Sequence, residues 1–430
     1  FNRLNLLGKY NVQTKDEDQL TLGFSHFTSS WDASGQIPER AVEDGTIGWF
    51  GAIDDTEGGE TSRTNLMLRY LDDLENDKFL EHELYWSQYE FYLVSNFTFF
   101  LEDPVNGDQI TQEEDRNIIG YKARWVDEST FGHSNLTSEI GAGFRYDDVD
   151  DIRLSRTKNR REILENLALG DIEETNIYVY GSETWKVSNR FIINAGLRYD
   201  HLVFQYTDRL LPNYSREKAS KGILSPKLQL DYQLSENATL YAKAGTGFHS
   251  NDTRVVVARE ADEILPRASG ADLGLILKPL PRLTLQAALW TLHLEQEFVY
   301  VGDAAVVEPS GETRRRGIDV SLRYQLTPSI YIDSDVNFTD PVALNAPEGE
   351  DFIPLAPTFT STGGILFQRP DGYGFNGSLR YRWLGDRAAN EDNTVIADGY
   401  FLLDAVLNYT RPSFEVRVSI VNLLDERWKV

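Results

Sequence analysis

A two-residue alternation, carried through long segments whose second face is charged, constrains this chain more than any other feature. Phe414, Val416, Val418 and Ile420 fall on one side, and Glu415, Arg417 and Ser419 on the other. Ile318, Val320, Leu322 and Tyr324 alternate with Asp319, Ser321, Arg323 and Gln325, and Phe191, Ile193, Ala195, Leu197 and Tyr199 alternate with Asn194, Arg198 and Asp200. Successive strand residues point to opposite faces of a sheet. A soluble sandwich also alternates, but it does not usually put Arg and Asp repeatedly on the second face of strands this long. An apolar face against lipid and a polar face against a wet interior account for both halves of the pattern.

The connections alternate as well. Short ones fall at 14–18, 75–78, 186–190, 235–237, 278–282, 326–329, 369–372 and 410–413. Long ones fall at 32–62, 158–170, 207–218, 251–268, 302–312, 340–355 and 385–397. Tight turns on one rim and long loops on the other are the outer-membrane barrel pattern, with the long loops extracellular. About 18 strands are expected, among them 79–101, 110–128, 133–157, 170–187 and 397–410. Several exceed the roughly 9–11 residues that cross a bilayer, and the excess should stand above the membrane on the loop side. The stretch 158–169 has room for a short helical turn.

Composition excludes other classes. No run of about 18 apolar residues exists, so no helix spans a membrane. Cysteine is absent, which removes disulfide frameworks and thiolate metal sites. The net charge of -26 argues against nucleic-acid binding, which calls for a basic patch. Trp31, Trp86, Trp125, Trp185, Trp383, Tyr400 and Trp428 lie near strand ends, where an interfacial girdle would put them. Ordinary strand preference for aromatics explains any single one of them as well.

Catalytic and metal constellations are weak. The six histidines show no ligand spacing. His249 and Ser250 are neighbours on an extended segment and point apart, so they make a poor catalytic pair. The acidic run Asp54-Asp55-Thr56-Glu57-Gly58-Gly59-Glu60 departs from the calcium-loop pattern and reads as a solvated loop. No cofactor is expected. The loop side offers Trp49, Phe50, Arg254, Arg314 and Arg315 as ligand-binding candidates, with aromatic stacking and anion pairing as their chemistry. Asp319, Arg323, Asp333, Asp335, Arg198, Asp200, Arg380, Arg382, Asp404, Glu415 and Arg417 should line the lumen.

Several segments carry a family likeness. Gly399-Tyr400-Phe401-Leu402-Leu403-Asp404-Ala405, followed by the stretch from Phe414 to Trp428 with Asn422-Leu423-Leu424-Asp425, resembles the closing region of TonB-dependent receptors. Leu424 and Trp428 stand where that family usually has Phe and Tyr. Ser225-Pro226-Lys227-Leu228 with Leu240-Tyr241-Ala242 and Gly247-Phe248 resembles the family's mid-barrel strand pair, and Arg314-Arg315-Arg316-Gly317-Ile318-Asp319 a strand start. The likeness runs over essentially all of residues 1–430.

The resemblance implies a barrel of roughly 22 strands around a plugged lumen. It implies that the lumen-lining charges would face a plug, and that a segment outside these residues would reach TonB. Loop parity makes the first strand a descending one, so about three strands of the parent would precede the chain and one would follow. The expected activity is energised uptake of a scarce, bulky nutrient, an iron–siderophore by default, across the bacterial outer membrane. Lipid and lipopolysaccharide would be partners of the outer face. A passive porin and a barrel enzyme are the alternative readings, and of these three the receptor reading makes the chain no enzyme.

Overall fold

Alternating strands joined by tight turns can only zip to their sequence neighbours, and they do so throughout the computed structural model of the chain. It describes all residues except 15–17, 75–76, 133, 250–252, 254–263, 302–305 and 429–430. The strands are β1 (Asn2–Gln13), β2 (Gln19–Asp32), β3 (Gly58–Asp73), β4 (Lys78–Ser95), β5 (Ile110–Phe131), β6 (Ser134–Lys158), β7 (Glu162–Ser188), β8 (Phe191–Asp208), β9 (Ser215–Ser235) and β10 (Ala238–Phe248). They continue as β11 (Arg267–Leu280), β12 (Leu283–Val301), β13 (Val306–Thr327), β14 (Ile330–Ala343), β15 (Phe359–Phe367), β16 (Gly374–Leu384), β17 (Arg387–Ala388), β18 (Ile396–Ala397), β19 (Tyr400–Arg411) and β20 (Phe414–Ile420). One 18-stranded sheet holds all but β17 and β18, which form their own small hairpin.

Every pairing in the large sheet is antiparallel and joins consecutive strands, with β16 passing to β19 across the small hairpin. The sheet is an all-β antiparallel barrel wall, as the alternation requires. Among the described residues β1 pairs only with β2, and β20 only with β19. The wall curls far enough that the Arg427 guanidinium, beyond β20, lies 6.0 Å from the Trp49 ring in the β2–β3 loop.

Register fixes the two faces. Across β2 to β5 the line Phe24, Leu66, Trp86, Ile119 runs on one side. Across β10 to β14 the line Ala242, Leu273, Leu289, Ile318, Phe338 continues it. Leu66, Ile119, Leu273, Leu289, Ile318 and Phe338 are all exposed. A belt of exposed aliphatics this long is untenable in water and is what a lipid-facing wall presents. The opposite face is concave, and Tyr241, Lys243, Asp272, Gln286 and Asp319 line a cavity of about 560 Å³ on it.

Two aromatic rows mark the limits of the apolar belt. At the loop end Phe338, Phe359, Trp383 and Phe401 touch in series, with ring centroids 5.0, 4.8 and 6.4 Å apart. At the turn end Phe375, Tyr409 and Phe414 form a second series at 4.8 and 6.2 Å. Phe375 and Trp383 are eight residues apart on β16. At roughly 3.3 Å per residue and a tilt of about 40° they stand ~20 Å apart along the membrane normal, close to the ~25 Å apolar band of such barrels. The outer face is not uniformly apolar: Glu183 lies on it, accepting a hydrogen bond of 2.9 Å from Ser138 Oγ.

The connections segregate by rim as expected, with some corrections. On one rim no connection exceeds the six residues between β15 and β16. On the other, long connections follow β2, β4, β10, β14 and β16. The expected loop at 158–170 is largely strand instead, that at 207–218 is strand on both sides of 209–214, and that at 302–312 is strand from Val306 on, its residues 302–305 lying outside the described residues. β6 and β7 pair up to Lys158 and Glu162, so no helical turn forms there. The tip takes Asn159 and Arg160 at φ 51° and 70°, the left-handed geometry a tight hairpin needs. The backbone found partners by extending its ladder, which a helical turn would have had to break. The helix lies elsewhere, as α1 (Glu39–Glu43) in the β2–β3 loop. The strand expected at 79–101 ends at Ser95.

The tall ends of β6 to β9 enclose an apolar cluster on their inner face. Val149, Ile152, Ile172, Leu202, Phe204, Tyr206 and Ile223 pack with Leu265 from the β10–β11 connection. Leu265 and Thr253 of that connection thus lie inside the mouth, where Thr253 donates to the Glu174 carboxylate.

Candidate functional site

The inner wall is a lattice of paired charges that strand geometry puts there. Residues i and i+2 share a face, so an Arg-x-Asp triple on an inner face can fork onto itself. Arg198 does this, giving Nε and Nη2 to the two oxygens of Asp200 at 2.8 and 2.7 Å, while Asn176 donates to the same carboxylate at 3.2 Å. Asp200 is completely buried beneath these donors. The Arg198 guanidinium lies 3.8 Å from the Tyr178 ring.

Other expected lumen residues meet across strands. Arg323 pairs with Asp335 at 2.8 Å, Arg380 with Asp333, and Arg382 with Asp404 at 3.5 Å. Asn337 donates to Asp319. Glu415 accepts from Thr410 at 3.5 Å. Arg417 stands opposite Asn408 on the inner face of β20 and is exposed. All eleven lumen candidates thus share one side of the sheet.

Sequence reasoning missed the denser half of this lattice. Arg145 forks onto Asp147 at 2.6 Å through both Nε and Nη2, and Arg116 adds a bond to Asp147 at 3.0 Å. Arg69 and Arg124 converge on Glu81 at 2.9 and 2.8 Å. Tyr180 donates to Glu139 at 2.6 Å. One signal was available: Arg145-Tyr146-Asp147 and Arg198-Tyr199-Asp200 repeat the same triple after a glycine and an apolar residue.

Inner-wall aromatics lie flat on glycines of the next strand. A Cβ at Gly120 would stand 2.3 Å from the Tyr85 ring, and one at Gly274 2.1 Å from Tyr241. Glycine is required at these two positions so that the ring can cover the backbone and leave the lumen open.

The loop-side ligand candidates are not gathered into one cluster. Phe50 is 97% exposed at the tip of the β2–β3 loop, and Trp49 beside it faces Arg427. Arg315 is on the inner face, paired with Glu297 at 2.8 Å. Arg314 is one residue away and so points to the outer face, on the register line of His293. Arg254 lies outside the described residues.

The acidic run before β3 is partly buried rather than solvated. Asp54 accepts from Thr56 N, Asn96 Nδ2 and Gln109 Nε2 at 2.9, 2.9 and 3.0 Å. Burial raises its pKa, but these donors outweigh that and hold it below the ordinary carboxylate value. Glu57 has no such donor set, and burial pushes it up to about 7. Arg160, at the β6–β7 tip, supplies the local cation: its guanidinium meets the Thr56 and Glu57 carbonyls and pairs with Asp32 at 2.6 Å. Among the described residues no group of three or more His, Asp or Glu side chains is placed to hold a metal ion.

A wide antiparallel barrel with a charged inner wall, an apolar outer belt and one rim of long loops defines a class of membrane-spanning receptors and pores. Within that class, the family model of the TonB-dependent receptor-like β-barrel matches residues 7–423, and the chain belongs to that family. It is a family of receptors and transporters, not of enzymes. The pesticin receptor of Yersinia enterocolitica is 22% identical over 266 residues, covering 58% of this chain and 39% of that protein. The unliganded ferric citrate transporter FecA superposes with a TM-score of 0.83 at 15% identity, over 99% of this chain and 65% of FecA. The ferric yersiniabactin uptake receptor FyuA of Yersinia pestis gives 0.76 at 15% identity, over 99% of this chain and 66% of FyuA. The chain thus spans about two-thirds of these two receptors, and its match to the pesticin receptor covers about two-fifths of that protein.

Proposed function

We propose that this chain is the barrel of a bacterial outer-membrane receptor that imports a scarce, bulky nutrient, an iron–siderophore complex by default. The observation that carries this reading is the inner wall. Asp147 and Asp200 are buried beneath their arginines, but Arg323–Asp335 and Arg382–Asp404 are wetted and individually weak. Such pairs can hold a movable domain within the lumen and exchange partners when it shifts. The loops on the wide rim then form the receiving surface, with Trp49, Phe50 and Arg315 as its ligand-facing residues. The outer belt sits in lipid, with lipopolysaccharide around the loop-side aromatic row. Energy would come through TonB. The names of FecA and FyuA support a ferric ligand, as a property of those proteins.

Uptake of radiolabelled ferric siderophores by iron-starved cells carrying the complete gene tests the reading. Accumulation should require both the gene and TonB. Accumulation that persists without TonB and scales with solute size would instead make the protein a passive pore.

A further inference from the structure

We propose that Glu57 is a proton-operated latch: its neutral carboxyl holds the β2–β3 loop down on the barrel rim, and its ionisation releases that loop. The proposal starts from loop geometry and does not depend on which ligand the receptor takes.

The loop spans residues 33–57 and crosses from β2 to β3. It is tied down near its two ends. Ala33 N donates to Glu57 O at 3.0 Å, and the Asp54–Asn96–Gln109 cluster joins it to the β4–β5 connection. At the centre of these ties sits the Glu57 side chain, only 3% exposed. One oxygen, Oε2, accepts from Asn96 N at 3.3 Å. The other, Oε1, is buried with no hydrogen-bond partner. Gly35 closes the chamber. It takes φ +61°, and a Cβ there would stand 2.4 and 2.5 Å from the two carboxyl oxygens.

Among the described residues no cation faces this carboxyl. Arg160 is the nearest basic group on the β6–β7 tip, and it is spent on the Thr56 and Glu57 backbone carbonyls and on Asp32. Arg161, on the same tip, pairs with Glu60 of β3 at 3.3 Å. Lys158 reaches Asn106 at 3.4 Å. Arg156 of β6 acts on Asp103 in the β4–β5 connection, and the other charges of these elements are acids: Asp32 at the end of β2, Asp54 in the loop itself, and Asp108 in the β4–β5 connection. Asp54 opposes a second negative charge directly. An anion sealed among acids with one oxygen unpartnered is unstable, whereas a neutral acid is tolerated there. Water can solvate the anion only if Gly35 and the loop lift away.

The direction of the pH response follows. The carboxyl titrates near 4.5 when the loop is free and near 7 when it is docked. The Glu57 share of docking is therefore at full strength below about 4.5 and weakens as the pH rises through 7. Between pH 5 and 8 the opening equilibrium should rise by about 70-fold if the whole shift is realised.

Hydrogen–deuterium exchange of the 36–56 segment tests this, on the complete gene product in lipid nanodiscs, with intrinsic exchange rates divided out. Protection should fall at least tenfold from pH 5 to pH 8 in the wild type. Glu57→Gln keeps the shape without the charge, so it should stay protected and flat across that range. Gly35→Ala should be unprotected at every pH. A flat wild-type profile, a wild-type slope retained by Glu57→Gln, or full protection retained by Gly35→Ala would each overturn the proposal.

Discussion

Placing arginine at Leu379 tests the outer face at its deepest point. Leu379 lies on β16, four residues from Phe375 of the turn-side aromatic row and four from Trp383 of the loop-side row. It is 46% exposed and points away from the lumen, on the register line of Ile365 and Ala405. If those rows bound the hydrocarbon, Leu379 is at the midplane. Arginine on the lipid face there costs about 2–4 kcal/mol, or roughly 30- to 900-fold in the unfolding constant. Ser378→Arg, one residue away, points into the wet lumen and should change stability by less than about 1 kcal/mol. The assay is guanidinium unfolding of the complete gene product in phospholipid vesicles, followed by tryptophan fluorescence. If Leu379→Arg matches the parent to within about 0.5 kcal/mol, the residue faces water and the reasoning fails.

Further outcomes follow from the inner wall and the loops. Asp200→Ala strips a buried acceptor from Arg198 and Asn176 and should cost about 1–3 kcal/mol in the same unfolding assay. Gly120→Ala should cost about 1–3 kcal/mol by displacing the Tyr85 ring, and adding Tyr85→Ala should recover part of it, as a double-mutant cycle would show. Asp54 titrates in the opposite sense to Glu57. Its folded pKa is lowered, so its share of loop docking is present above the ordinary carboxylate range and lost as pH falls through the folded value. Exchange protection of residues 36–56 should accordingly decline again below pH 4, and Asp54→Asn should abolish that decline.

The barrel was legible because its physics is periodic. Phe191, Ile193, Leu197 and Tyr199 could face only one way once Arg198 and Asp200 faced the other, and the register keeps them so. That the eleven charges share one side of the sheet was readable for the same reason. Their partners were less so, because whether Arg380 meets Asp333 depends on cross-strand register, which period two leaves open by even steps. The forked pair Arg145–Asp147 needed no register, only the recognition that i and i+2 share a face. Loop structure was the least readable part. The segment 158–169 is polar and looked like a loop, yet its backbone extends the β6–β7 ladder. Glu57 sat within a run that read as solvated acid, and only the approach of Gly35, Asn96 and Gln109 from distant sequence shows that it is enclosed.

The most direct test of the account is an accessibility scan along β16. The chain contains no cysteine, so single cysteines can be placed from 376 to 383 and spin-labelled without background. In bilayers, labels at the odd positions should relax with dissolved oxygen and those at the even positions with a water-soluble nickel complex, in strict alternation. Labels that all respond to nickel, or that follow a period near 3.6, would contradict a wall with lipid on one side and water on the other.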